Sequence, residues 1–281
     1  MKLVRYGNSG QERPGLIDHE GRLRDLSQHL SDVDGAALAP ASLTRLRGLD
    51  AATLPLVPAA VRLGPPLAGV GKIICIGLNY TDHALEAGLP LPAEPVVFLK
   101  ASSAITGPAD PIVLPAGSEK TDWELELAVV IGSEAKSVAP EAAMTKIAGY
   151  CIGLDISERY WQLERGGQWT KGKSFDTFAP IGPWLVTADE FPAAPDLGMQ
   201  LSVNGELAQC SATGKMAFDA CQLVSYVSQV MTLHPGDIVF TGTPAGVGMG
   251  CKPPSYLRPG DMLSATIDGL GAQSHAVIAT V

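Results

Sequence analysis

The chain has 281 residues and a formal net charge of −9; 46% of the residues are hydrophobic and 17% are charged, with 31 glycines and 22 prolines. This composition favours a loop-rich β or α+β enzyme over a helical bundle or a disordered chain. The negative charge argues against nucleic acid and anionic membranes as partners, and because no apolar run approaches the roughly 18 residues of a membrane span and no signal-like segment opens the chain, we expect a cytoplasmic protein.

The first 66 residues are predicted to form a small α/β domain beside a catalytic domain over 67–281. Apolar runs predict short strands at 1–6 and 14–18, and apolar spacing predicts short helices at 23–30 and 41–49. A linker is then indicated by Pro55, Pro58, Pro65 and Pro66. Chains of roughly 250–300 residues are near the limit of a single core, which also favours two domains.

The middle of the chain is predicted to alternate short strands with brief helices. Apolar runs predict strands at 72–76, 96–99, 123–131 and 150–156, and 82–87 is predicted to be helical. Pro140 is expected to open a helix over 141–147, since proline suits the first helical turn. The early part of 123–131 alternates, so Glu124 and Glu126 share one face of that strand.

The C-terminal third is predicted to contain two hairpins and one longer helix. Asn204-Gly205 and Asp268-Gly269 are turn dipeptides for hairpins over 200–209 and 262–281. Apolar residues at helical spacing predict a helix over 218–231, followed by a strand at 237–241. Many short strands with few helices indicate an α+β, mostly β protein with a mixed β-roll or barrel core.

Carboxylates on the predicted strands are candidate metal ligands. Glu124 and Glu126 would repel each other if both faced inward, and their burial would be costly unless a cation neutralised them. A hard, oxygen-liganded ion such as Mg²⁺ suits that need. The alternative is a half-exposed strand with a wet polar face. Asp155 lies near the end of a predicted strand, where a turn or cap residue is the alternative.

Other polar residues fit acid–base chemistry or anion binding. His83 and Glu86 lie three residues apart on one face of a predicted helix, which suits a general base oriented by a carboxylate, or simply a surface pair. The glycine-rich loop 241–248 offers backbone amides to an anion, but it lacks the P-loop lysine and the Rossmann spacing. Potential anion clamps, although single basic residues are usually solvated, are Lys100, Arg159, Lys171 and Lys173.

Six separated motifs, taken together in chain order, resemble the fumarylacetoacetate hydrolase superfamily over about residues 70–281. They are Gly77-Leu78-Asn79-Tyr80 with His83 and Glu86; Phe98-Leu99-Lys100; Asp122-Trp123-Glu124-Leu125-Glu126; Asp155 with Arg159 and Gln162; Lys173-Ser174-Phe175-Asp176; and the loop 241–248. The N-terminal segment resembles the small variable domain of the same enzymes.

This resemblance implies a mixed β-roll core, usually in a homodimer or a higher homo-oligomer. It implies that Mg²⁺ or Mn²⁺ is held by Glu124, Glu126 and Asp155. It also implies that His83 and Glu86 activate water from a mobile lid, with Lys173 close to the metal-bound oxygens of the substrate. Residues expected around the substrate are Arg159, Gln162 and Thr243, with Lys100 and Lys171 as further candidates for binding a small anionic substrate.

The segment 164–173, together with 176–178 and 182–187, is similar to a subgroup that cleaves 2,4-diketo-3-deoxy sugar acids, the diketo-deoxyrhamnonate and diketo-deoxyfuconate hydrolases. The expected reaction is hydrolysis of the C3–C4 carbon–carbon bond of such a ketonic acid, giving pyruvate and a hydroxy acid such as lactate. Acylpyruvate or fumarylpyruvate hydrolysis, oxaloacetate decarboxylation and ureidoglycolate lysis are alternatives on the same site. A non-catalytic protein that binds a diacid is an alternative of another class.

Overall fold

Strands dominate the computed structural model, which describes residues 1–58, 60–192 and 195–280. In these ranges the strands are β1 Lys2–Tyr6, β2 Arg13–Ile17, β3 Leu23–Asp25, β4 Ile73–Gly77, β5 Val96–Lys100, β6 Ile105–Thr106, β7 Ile112–Leu114, β8 Thr121–Asp122, β9 Leu125–Ile131, β10 Ile147–Leu154, β11 Ser157–Glu158, β12 Ala179–Thr187, β13 Gly198–Val203, β14 Glu206–Ala212, β15 Ile238–Phe240, β16 Met262–Ile267 and β17 Gly271–Ala279. The α-helices are α1 Pro40–Arg47, α2 Thr81–Ala87, α3 Pro140–Ala143, α4 Thr170–Lys173 and α5 Ala220–Val230, and Tyr160–Glu164 forms a π-helical turn.

A ten-stranded mixed sheet forms the centre of the described chain, in the order β3-β2-β1-β12-β10-β9-β15-β4-β5 with β6 beside β12. A five-stranded sheet has the order β14-β13-β16-β17-β7, and β8 pairs with β11. The large sheet is open, with β3 and β5 at its edges. The expected mostly β, mixed core is therefore confirmed, as an open sheet and not a closed barrel.

Strands β9 and β10 lie in the middle of the large sheet, and every residue in them is buried. The main hydrophobic core also contains side chains from α1, α5 and the five-stranded sheet. Strands covered on both faces require nearly continuous apolar runs, which explains the sequence of β10. Among the described residues, no helix is long and apolar enough to cross a membrane.

The N-terminal strands extend the large sheet, because β1 pairs antiparallel with β12 and β2 pairs with β1. The predicted helix over 23–30 is wrong: Leu23 lies in β3, opposite Ile17 of β2. At the end of β3 the Asp25 carboxylate accepts a hydrogen bond from the Ser27 amide at 2.7 Å, a local side-chain turn that competes with a helix. The division into domains 1–66 and 67–281 stays a prediction.

Most other predicted elements are present, but the strand predicted over 123–131 begins only at Leu125. Strand β8 ends at Asp122 and β9 begins at Leu125, because the chain changes partner from β11 to β10 between them. The predicted helix over 141–147 is also shorter, since Ile147 already begins β10. Both C-terminal hairpins are confirmed over the described residues; Val281, the predicted end of the last one, lies outside them.

Candidate active site

The strand register brings three carboxylates together. Strands β9 and β10 are antiparallel, with Leu154 opposite Leu125, so the start of β9 lies beside the end of β10. Glu124 and Asp155 lie just outside the paired strands. The backbone amide of Asp155 donates to the Glu124 carbonyl at 2.9 Å, and this hydrogen bond holds the two residues side by side. One carboxylate oxygen from each of Glu124, Glu126 and Asp155 lies within 4.8 Å of the others, and all three residues are buried.

Two basic side chains compensate part of this negative charge from within the site. The Lys173 ammonium lies 2.6 Å from Glu124 Oε2 and 2.7 Å from Asp155 Oδ2. Arg159 Nη2 lies 2.6 Å from Glu124 Oε1. Burial would raise the pKa of Glu124, but Arg159 and Lys173 outweigh it and hold that pKa at about 2. Glu124 is therefore ionised at neutral pH.

Glu126 differs from the other two carboxylates, because no described basic side chain forms an ion pair with it. Its Oε2 accepts a hydrogen bond from the Gly242 amide at 2.7 Å. Burial, followed by repulsion from Asp155 and Glu124, raises the pKa of Glu126 well above its ordinary value. Hard oxygen donors with uncompensated negative charge are what Mg²⁺ or Mn²⁺ requires, so these residues fit a divalent cation.

The turn between β4 and α2 sets the position of the candidate base. Leu78 adopts a left-handed backbone with φ of 55°, and the buried Asn79 amide donates to the Thr241 and Phe218 carbonyls at 2.8 and 2.9 Å. A non-glycine residue in that region is uncommon, and such strain persists where surrounding contacts impose it. Helix α2 therefore starts from a fixed point beside the loop 241–248.

His83 and Glu86 of α2 form a hydrogen-bonded pair, with His83 Nδ1 3.0 Å from Glu86 Oε2. The other carboxylate oxygen, Oε1, accepts from the Gly246 amide at 2.9 Å. Asp82 binds the same region, since it accepts from Ser211 Oγ at 2.7 Å and from the Ala245 amide at 3.3 Å. The glycine-rich loop thus holds the carboxylate that orients the histidine.

A cavity of about 250 Å³ joins the histidine pair to the carboxylate cluster. Its polar lining consists of His83, Glu124, Glu126, Arg159, Gln162, Lys173 and Thr243, and its apolar lining includes Leu89, Phe98, Leu163, Trp169 and Met249. The cavity therefore offers an ionic floor and a candidate base to one small ligand, the arrangement of a metal-dependent acid–base site.

Two lysines considered for substrate binding do not line this cavity. Lys100 is fully buried behind Asp155, with its ammonium 2.5 Å from Oδ1 and 3.1 Å from the Ile156 carbonyl. Lys171 is exposed and donates to the Arg165 carbonyl. In contrast, Arg159, Gln162 and Thr243 reach the cavity, and Arg159 Nη1 donates to Gln162 Oε1 at 3.0 Å.

Asp122 has a structural role that the sequence analysis did not assign. Its carboxylate accepts from the Gly248 and Met249 amides at 2.6 and 3.0 Å and lies 2.7 Å from Arg159 Nη2. Asp122 therefore ties the glycine-rich loop to the arginine of the site. Its place two residues before Glu124, in a polar motif, was the available signal.

The sequence analysis did not identify Gln209 of β14 as a residue that supports the site. Its amide donates to Thr243 Oγ1 at 2.8 Å and to the Pro244 carbonyl at 2.9 Å, and its oxygen accepts from the Leu125 amide at 2.9 Å. The side chain is fully buried and joins the start of β9 to the loop 241–248. A single glutamine in a hairpin carries no sequence signal for such a role.

The fold and a buried acidic cluster that could hold a cation point to an enzyme, and comparison with known proteins identifies its family. Residues 72–278 match the family model described as fumarylacetoacetate (FAA) hydrolase, C-terminal. A Burkholderia ambifaria protein named "Putative hydrolase" is 58% identical over 274 residues, 97% of each chain. The chain belongs to the fumarylacetoacetate hydrolase superfamily.

Solved structures agree with this assignment over the whole chain. A fumarylacetoacetate hydrolase from Exiguobacterium antarcticum is 36% identical, with a TM-score of 0.86 and full coverage of both chains. Maleylpyruvate hydrolase from Sphingobium sp. SYK-6, solved with manganese(II) ion and pyruvate, is 31% identical at a TM-score of 0.83, again with full coverage. A 2-hydroxyhepta-2,4-diene-1,7-dioate isomerase from Mycobacterium marinum is 35% identical at 0.78, over 100% of this chain and 99% of that one.

Proposed function

We propose that this protein is a metal-dependent hydrolase that cleaves the C3–C4 bond of a 2,4-diketo acid, releasing pyruvate and a carboxylic acid. The observation that carries the proposal is that the His83–Glu86 pair and the carboxylate cluster line one cavity. The pyruvate and manganese(II) bound to the 31% identical Sphingobium hydrolase support the same chemistry.

The residues that would hold Mg²⁺ or Mn²⁺ are Glu124, Glu126 and Asp155. A bound divalent cation supplies positive charge to the carboxylate and ketone oxygens of a 2-oxo acid. The Lys173 ammonium, which lies against Glu124 and Asp155, adds a second positive group beside those oxygens. Preorganised charge of this kind stabilises the enolate oxygen that develops as the carbon–carbon bond breaks.

His83 supplies the proton chemistry. Because Nδ1 donates to Glu86, Nε2 of the neutral ring is the acceptor for a proton from water. The water oxygen bonds to the C4 carbonyl carbon, the C3–C4 bond breaks, and its electron pair passes to C3. The proton held by His83 returns to C3. One water is consumed, and the products are pyruvate and the acid formed from C4.

The sequence similarity around 164–187 supports a narrower substrate, a 2,4-diketo-3-deoxy sugar acid such as the rhamnonate compound, with lactate as the second product. The test is pyruvate release from a panel of 2,4-diketo acids, measured with Mg²⁺, with Mn²⁺ and with EDTA. We expect turnover that requires the metal. A complete lack of pyruvate from every compound with metal present would overturn the proposal.

An isomerase acting on an unsaturated hydroxy diacid is a second candidate, favoured by the 35% identity to the 2-hydroxyhepta-2,4-diene-1,7-dioate isomerase from Mycobacterium marinum. An isomerase rearranges its substrate without releasing pyruvate, so the same assay separates the two. Oxaloacetate decarboxylation and ureidoglycolate lysis are further alternatives, and metal-dependent ligand binding without any turnover would favour a diacid-binding protein.

We also propose that the protein is cytoplasmic and forms a homodimer. Sedimentation analysis would measure the number of subunits.

A further inference from the structure

Helix α2, which carries the candidate base, has few apolar contacts to hold it in place. It is seven residues long, and an isolated helix shorter than roughly 12–15 residues is marginal in water. Among its described side chains only Ala84 is buried, whereas Leu85 is 82% exposed. The position of His83 therefore depends on polar contacts between α2 and the rest of the chain.

Asp82, in the first turn of α2, makes several of these polar contacts. Its Oδ2 accepts from Ser211 Oγ at 2.7 Å and from Lys215 Nζ at 3.0 Å, and its Oδ1 accepts from the Ala245 amide at 3.3 Å. Burial would raise the pKa of Asp82, but the hydrogen bonds from Ser211 and Lys215 outweigh it and lower that pKa. The carboxylate is therefore ionised at neutral pH, and hydrogen bonds to an ionised acceptor are stronger than those between neutral groups.

The strand that binds Asp82 also supports the glycine-rich loop. Gln209 and Ser211 are two residues apart on β14, so their side chains leave the same face of that strand. Gln209 donates to Thr243 Oγ1 at 2.8 Å, and Ser211 donates to Asp82. Strand β14 lies at the edge of the five-stranded sheet. One face of this edge strand thus aligns both the loop 241–248 and the helix that carries His83.

We infer that Asp82 is a positioning residue, which orients α2 so that His83 faces the carboxylate cluster. The inference rests on the proposed function, in which His83 takes a proton from water. The turn at Asn79 fixes where α2 starts, and two carboxylates on one face of the helix, those of Asp82 and Glu86, fix its direction. Glu86 binds the Gly246 amide, next to the Ala245 amide that Asp82 binds.

Replacing Asp82 by Ala should slow the chemical step and leave the binding groups in place. Misplacement of a reacting group by about 1 Å can cost about 10²-fold in rate, so we expect kcat for pyruvate release to fall about 10- to 100-fold. The assay uses the 2,4-diketo acid of the panel that is turned over fastest. KM should change little, and Mn²⁺ should still raise the unfolding temperature as in the wild type, because the carboxylate cluster is unaltered. Asp82→Asn, which keeps one acceptor oxygen, should lose less activity than Asp82→Ala.

A partner variant and a control assign the effect to the contact with β14. Ser211→Ala should lower kcat less than Asp82→Ala does, and the double variant should be no slower than Asp82→Ala, because both changes remove one shared hydrogen bond. Asp196→Ala is the matched control. Asp196 is exposed and accepts from the Gly214 amide at 2.9 Å, but within the described chain it forms no hydrogen bond with α2. Its replacement should leave kcat unchanged.

Hydrogen exchange of the metal-free protein tests the attachment of α2 without relying on turnover. The Ala84 and Gly88 amides, which donate to carbonyls of the same helical segment, should exchange faster in Asp82→Ala, whereas the amides of β9 should not change. Equal exchange of α2 in the variant and the wild type would overturn the inference, and so would an unchanged kcat.

Two further results separate other causes. A loss of Mn²⁺ stabilisation in Asp82→Ala that matches the loss of kcat would place the effect on the carboxylate cluster and overturn the role assigned to His83 and α2. Absence of pyruvate from the wild type with metal present would overturn the proposed function and, with it, the role of Asp82 in catalysis. Normal turnover by the wild type with an unchanged variant would overturn the inference alone.

Discussion

Lys100 and Asp155 form an ion pair that solvent does not reach, with the Lys100 ammonium 2.5 Å from Asp155 Oδ1 and both side chains fully buried. The second oxygen of Asp155 accepts from Lys173 at 2.7 Å. Asp155 is therefore held by two ammonium groups, and of these only Lys173 lines the cavity. Lys100 acts through Asp155, which makes it a positioning residue for the proposed metal site.

Replacing Lys100 by Met should destabilise the protein, because it leaves part of a buried carboxylate uncompensated. Breaking a buried pair costs about 3–5 kcal/mol, and since Asp155 retains Lys173 we expect a loss near the lower end, about 3 kcal/mol. Urea unfolding measures this loss in the free energy of unfolding. Lys171→Met is the matched control, because Lys171 is exposed and should change the free energy of unfolding by no more than about 0.5 kcal/mol. Equal stability of the two variants would contradict the role of Lys100.

Replacing Glu126 by Gln should separate cation binding from stability. The change relieves the repulsion among three buried carboxylates, so the metal-free protein should unfold at an unchanged or higher temperature. Mn²⁺ should stabilise the variant less than it stabilises the wild type, since a ligand that binds the folded state raises the unfolding temperature more when it binds more tightly. Pyruvate release should be lost.

Thermal unfolding with EDTA and with a Mn²⁺ titration checks this prediction. Glu134→Gln is a suitable control, because the Glu134 side chain is 65% exposed and is not one of the three clustered carboxylates. If Mn²⁺ raised the unfolding temperature of Glu126→Gln as much as that of the wild type, Glu126 would not be a metal ligand.

The sequence predicted the carboxylates as candidates but gave the wrong local geometry for one of them. Simple alternation placed Glu124 and Glu126 on one face of a continuous strand, whereas Glu124 precedes β9. The two residues meet Asp155 because β9 pairs with β10 in one particular register. Register depends on contacts between distant segments, which a periodicity argument does not contain.

Local sequence patterns predicted correctly those elements whose structure depends on contacts between neighbouring residues. The hairpins at Asn204-Gly205 and Asp268-Gly269 follow from turn chemistry, and α1 begins with Pro40 in its first turn. The helix predicted over 23–30 failed, since pairing with β2 overrode the spacing of its leucines. Nor could the burial of Lys100 or Gln209 be read from sequence, because each depends on partners from distant segments of the chain.

Acid should destabilise the N-terminal hairpin through Asp18. Its carboxylate is fully buried and accepts from the Arg22 amide and from Arg22 and Arg24 Nε at 2.9, 3.0 and 2.8 Å. Burial alone would raise the pKa of Asp18, but these donors lower it well below the ordinary value of 3.8. A depressed pKa in the folded state gives stability that is complete above 3.8 and is lost as the pH falls below it.

We therefore expect Asp18→Asn to be less stable than the wild type at pH 6 and to approach it in stability between pH 4 and pH 3. Urea unfolding at several pH values measures the difference. Glu206→Gln, at an exposed position on β14, should show no such convergence. A stability difference for Asp18→Asn that stayed constant down to pH 3 would contradict the assigned pKa shift.

Replacing His83 by Ala should separate hydrolysis from decarboxylation. Water attack requires a base, so pyruvate release from a 2,4-diketo acid should fall by about 10²–10⁴-fold, the usual contribution of a general base. Oxaloacetate decarboxylation, if the protein has it, requires stabilisation of an enolate but no attacking water, so it should persist in the variant. His19→Ala, at a side chain 78% exposed in the N-terminal segment, should leave both rates unchanged. A fall of less than tenfold in hydrolysis would exclude His83 as the base, whereas equal loss of both reactions would mean that His83 holds the substrate and does not activate water.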